Sequence, residues 1–131
     1  MHLCEMAMEA LASDYVDHLS HFKASEDALQ SLHHLEEAEA IWAAESTIIG
    51  HLDAEGHEKD FLLSMREQAL TVLEDRLDHA AKLCRREACP ENVALCIGIL
   101  ATMDRIFASL GHPEGSEQRR KLKSVALGFR I

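Results

Sequence analysis

Aromatic side chains are scarce in this chain, and so are the residues that punctuate loops. Phe, Trp and Tyr make up 5% of the 131 residues, and only two prolines and six glycines are present. So little strand-forming and turn-forming material argues against a β-sandwich or barrel and favours long helices of Ala, Leu and Glu. No apolar run approaches the roughly 18 residues that span a bilayer. The opening "MHLCEMAMEAL" has no basic flank and carries Glu5 and Glu9, unlike a signal peptide. These absences read as a cytoplasmic protein with reduced thiols. No Gly-rich phosphate loop, GxSxG elbow or HExxH element occurs either.

Basic charge is missing from one half only. The net charge is −10, yet residues 1–60 hold two basic and fourteen acidic side chains, and residues 61–131 hold eleven and nine. Direct nucleic-acid binding is disfavoured, because phosphate contacts need a basic surface. An acidic half suits a basic protein partner. With 47% apolar and 27% charged residues, the composition is that of a folded globular chain, read here as a single helical domain over 1–131.

What is present is helical periodicity from end to end. Over 3–22, Cys4, Met8, Leu11, Ala12, Tyr15, Leu19 and Phe22 fall on one stripe. Ser25 before Glu26 and Asp27 predicts the cap of a second helix, carrying Leu29, Leu32, Leu35, Trp42, Ile49 and Leu52 and ending at Gly50 or Gly56. A third helix runs from about Glu58 to Glu87 through Leu62, Met65, Ala69, Leu73, Leu77, Ala80 and Cys84. Pro90 opens a fourth, about Glu91 to Leu110, the most apolar, with Gly111 as its C-terminal cap. Ser116 caps a short basic helix reaching about Leu127. The expected fold is all-α: antiparallel four-helix bundle-like hairpins with a short fifth C-terminal helix.

Three clusters invite a chemical reading. "HAAKLCRREACPENVALC" holds His79, Cys84, Cys89 and Cys96. Cysteine gaps of five and seven exceed the two to four of structural zinc sites, so the stretch reads as a helix corner, with Cys4, Cys84 and Cys96 in apolar stripes. The sharper alternative is a redox pair of Cys84 with Cys96. Seven of nine histidines lie in the acidic half. Asp14, His18 and His21 share one side of a helix, and His33 precedes Glu37 by four, so imidazole and carboxylate could hold a divalent ion. Their bland reading is solvated surface. Arg66 stands in the middle of the third helix's apolar stripe, where a charge pairs with an acid or lines a cleft.

"HLSHFKAS" resembles the phospho-accepting segment of histidine phosphotransfer domains only in part. The lysine expected three positions after the histidine stands two after His21, and Ala24 follows it. In "HLEEAEA", Ala40 occupies the place of the third Glu in the acidic magnesium site of all-helical nucleotide pyrophosphatases.

The reading this sequence supports is an acidic protein-binding module of regulator, inhibitor, immunity or chaperone type, acting through helix faces and without a cofactor. Its contact candidates are the wide apolar band Ile41, Trp42, Ile48, Ile49 and Leu52 and the basic tail Arg119, Arg120, Lys121 and Lys123. A homodimer joining acidic half to basic tail would use both. The rival is a helical-bundle enzyme or sensor with a His/carboxylate divalent-metal site, its candidate ligands Asp14, His18 and His21 and its discriminating feature the convergence of Asp14, His18, Glu37 and Asp78.

Overall fold

The computed structural model describes residues 2–51 and 56–129, with side chains over 9–49 and 60–126. Among these residues the fold is all-α, with no strand. The helices are α1 (His2–Ala24), α2 (Ala28–His51), α3 (Gly56–Arg86), α4 (Pro90–Ser109) and the short α5 (Glu117–Phe129). The chain, read from sequence as one domain, is organised as two compact units, Met1–Glu67 and Gln68–Ile131. α3 contributes its first turns to the one and its remainder to the other. The charge divides at nearly the same place: residues 1–67 hold three basic and fifteen acidic side chains, and residues 68–131 hold ten and eight.

The helix ends show local chemistry at work. Ser25 does not cap α2; Asp27 does, its Oδ1 accepting from the Gln30 N–H at 3.0 Å. Ser25 instead donates to the Asp27 carbonyl, while its own N–H closes α1 on the His21 carbonyl. α4 opens on extended Cys89, with no side-chain cap and with Pro90 in the first turn. It closes in a Schellman pattern: Gly111 takes φ 93°, its N–H donates to Ala108, and the His112 N–H reaches back to Phe107. The His112 ring then meets the Phe107 ring edge-on at 5.3 Å. Ser116 caps α5 as expected, accepting from the Arg119 N–H at 3.4 Å.

In the first unit α1 and α2 lie side by side, with Tyr15, Leu19 and Phe22 buried against Leu35, Ala38 and Ile49. The buried positions of α2 run Ser31, Leu35, Ala38, Glu45 and Ile49, with half-buried Trp42 in the same 4-3-4-3-4 register. That register differs from the expected stripe. Leu29 is 59% exposed and Leu32 half-buried, because Ser31 turns inward, where its hydroxyl meets the carbonyls of Phe22 and Ser25. Leu52 and the side chains of Cys4 and Met8 lie outside the described residues.

In the second unit α3 supplies Ala69, Leu73, Ala80 and Cys84, and α4 supplies Leu95, Cys96, Ile99, Leu100, Met103 and Ile106. α5 packs beside α4 through Leu122. By length and composition α4 alone, among the described residues, is apolar enough to cross a membrane. Glu91, Asp104 and Arg105 interrupt its apolar run. A soluble core helix passes the same test, and α4 carries seven buried residues in this unit.

Cys84 and Cys96 are buried thiols, and Cys89 is half-buried at the corner. Burial, first, and the neighbouring Cys84 thiol push the Cys96 pKa up to about 11, so its thiolate, the reactive form, is rare at neutral pH. Native thiol labelling read by peptide mass spectrometry should therefore modify Cys89 well before Cys96, which reacts fully only after denaturation. Equal native rates would contradict the packing of α4.

Candidate functional site

The most elaborate polar arrangement surrounds Arg66. Its apolar position on α3 sends the side chain into the first unit, where Arg66 is 3% exposed. Nη1 and Nη2 donate to Glu39 Oε1 and Oε2 at 2.7 and 3.1 Å, a bidentate pair. The guanidinium carbon stands 3.7 Å from the centre of the Trp42 ring, within cation–π range. Trp42 in turn donates from Nε1 to the Leu62 carbonyl at 3.3 Å, and the Tyr15 hydroxyl donates to the Met65 carbonyl at 3.5 Å. Burial, partly offset by Arg66, pushes the Tyr15 pKa up to about 12. Three helices are thus tied through Arg66, Trp42 and Tyr15, and of the buried guanidinium only Nε has no hydrogen-bond partner. Such a site clamps; it presents no reactive group.

Glu45 has no such ties. It is fully buried in the core register of α2, and neither carboxylate oxygen finds a hydrogen-bond partner. Burial pushes its pKa up to about 7. A lone buried carboxylate holds a proton that it would lose in water.

A second cluster joins α1 to α2 near their connection. Of the expected set, Asp14 and His21 are exposed and His18 is half-buried. Among the described residues no group of three or more His, Cys, Asp or Glu side chains is placed to hold a metal ion, so Asp14, His18 and His21 do not converge. Consecutive turns carry them along the helix instead of toward one point. What comes together is a set of imidazoles across the two helices. His18 Nδ1 and His34 Nδ1 are 3.0 Å apart. The His21 ring stacks on His34 at 5.0 Å, and His33 meets it edge-on at 5.8 Å. Burial first, then the charges of His21, His18 and His33, lowers the His34 pKa. Sequence periodicity along a single helix could not find His34, because its partners sit sixteen and thirteen positions earlier on another.

The expected contact residues divide. Ile49 is 3% exposed and belongs to the core; Trp42 is held by Arg66 and Leu62; Ile41 and Ile48 are half-buried. Leu52, the last member of the band near Trp42, lies outside the described residues. In the second unit Arg119 donates to both Asp104 oxygens at 2.8 and 3.1 Å, and Lys123 pairs with Glu114 at 2.8 Å. The Arg119 hydrogen bonds hold Asp104 below the usual carboxylate range. Only Arg120 and Lys121 of the four basic candidates are exposed without such an ion pair among the described residues. Comparison with known proteins gave no match, whether to a family model, a curated protein or a solved structure.

Two outcomes follow from the first unit. Arg66→Met strands Glu39 in a partly buried site and removes the cation from Trp42; it should cost about 3 kcal/mol, seen as a lower urea midpoint, with Arg66→Lys recovering only part. A loss below ~1 kcal/mol would reduce the clamp to a surface ion pair. For Glu45, the folded-state pKa of about 7 lies above the ordinary 4.5. The folded chain thus binds the extra proton, and this contribution is full below pH 4.5 and lost as pH rises through 7. Melting curves should show wild type losing more stability between pH 5 and pH 8 than Glu45→Gln, and parallel curves would contradict this.

Proposed function

We propose that this chain is a protein-binding module that engages a basic, partly apolar segment of another protein through its acidic first unit. The observation that carries the reading is the company of charge and exposed hydrophobes there. Val16, Leu29, Phe61 and Leu63 are 40–59% exposed on a unit holding fifteen acidic side chains. Large apolar side chains on a charged surface suit contact with a partner more than contact with water. The carboxylates around them speed encounter with a basic partner and weaken with salt. These residues replace the band near Trp42 as the contact surface, since Ile49 and Trp42 serve the unit's own packing.

Self-association belongs to the same reading. Without another partner, Arg120 and Lys121 of one copy can meet the acidic unit of a second, giving a salt-sensitive head-to-tail pair. Regulator, inhibitor, immunity and chaperone roles are all served by such contacts.

Capture from the native host with wild type and with Leu29→Glu/Phe61→Glu provides the test, alongside sedimentation equilibrium of both. The expected outcome is a stoichiometric partner, or a dimer, present for wild type at low salt and lost both in the double variant and at high salt. The same bound proteins and the same mass for folded wild type and variant would overturn the reading.

A further inference from the structure

We propose that the α1–α2 hairpin binds one transition-metal ion of the copper(II) or nickel(II) class through His18 Nδ1 and His34 Nδ1. The two nitrogens face one another at 3.0 Å across the helices. Metal–imidazole bonds are about 2.0–2.1 Å long. Two such bonds to atoms at that separation meet at about 90°. A right angle is the cis angle of square-planar and tetragonal sites, the geometry of copper(II) and nickel(II), and is narrower than the tetrahedral angle of zinc.

The surroundings agree with a cation there. His18 and His34 are both half-buried between the two helices, with His33 edge-on to His34 at 5.8 Å. His21 stacks on His34 at 5.0 Å and fixes its ring plane. The unit's fifteen carboxylates raise the local concentration of divalent cations. Both protein ligands come from the rigid bodies of helices, His18 from α1 and His34 from α2, so no loop need be ordered on binding. With two protein ligands, water fills the remaining positions, in keeping with the absence of any three-residue ligand group among the described residues. The ion would staple α1 to α2. It does not depend on partner binding through Val16, Leu29, Phe61 and Leu63, and either can fail alone.

Nickel chloride titrated calorimetrically into the full chain at pH 7.5 tests the site, with His18→Ala, His34→Ala and, in the second unit, His79→Ala. Circular dichroism establishes that each variant is folded. The expected result is one high-affinity ion per chain, with affinity falling about tenfold or more in the first two variants and unchanged in the third. Copper(II) bound to wild type should give a tetragonal electron paramagnetic resonance spectrum with hyperfine structure from two imidazole nitrogens. A smaller fall in the His18 and His34 variants, an equal fall in His79→Ala, or a copper spectrum without two imidazole nitrogens overturns the proposal. The pair is then an imidazole–imidazole hydrogen bond only.

Discussion

A single guanidinium organises the first unit. Arg66 is taken out of water on an otherwise apolar stripe, and its charge is tolerated because Glu39 meets it through both oxygens and Trp42 through its π-face. Desolvating two charges costs several kcal/mol for each ion before their attraction is counted. The pair therefore contributes more to choosing an arrangement than to net stability. Sliding α3 by one residue along α2 would leave Arg66 or Glu39 buried alone, whereas a leucine pair would tolerate the slip. Trp42 and Tyr15 reinforce the choice, since each donates to a main-chain carbonyl of α3.

The helices themselves were legible from sequence because their signals are local. Periodicity, Pro90, Gly111 and Ser116 each act within a turn or two, and α4 and α5 begin or end within about two residues of where these signals put them. The position of each stripe was less legible. Hydropathy assigns Leu29 to the core and overlooks Ser31 and Glu45, but a serine that reaches the Phe22 and Ser25 carbonyls at the end of α1 is better buried than a leucine would be there. The sites were least legible of all. Arg66 stood out as a misplaced charge, yet its partner Glu39 lies twenty-seven positions away. His18 finds His34, on α2, only once the hairpin is formed. Tertiary pairing of this kind leaves no spacing to read.

The two units treat polar burial differently. In the second, Arg76 and Thr102 lie in the core with Cys84 and Cys96. The Thr102 hydroxyl returns to the Gly98 carbonyl one turn back, so that residue is satisfied inside its own helix. Arg119 and Lys123 of α5 pair with Asp104 and Glu114, the second pair on the surface, which consumes half of a charge patch that looks available in sequence. In the first unit the carboxylates greatly outnumber the cations, so most cannot be neutralised internally. Its surface stays strongly negative while that of the second is nearly balanced.

An unneutralised acidic surface destabilises the compact state by self-repulsion, and a bound cation or basic segment relieves it. Glu45 adds to the load as pH rises, since burial holds its proton until then. Acid therefore lessens the negative charge of this unit at Glu45. A cation or basic segment brought to this surface would compete with protons for the same excess of charge.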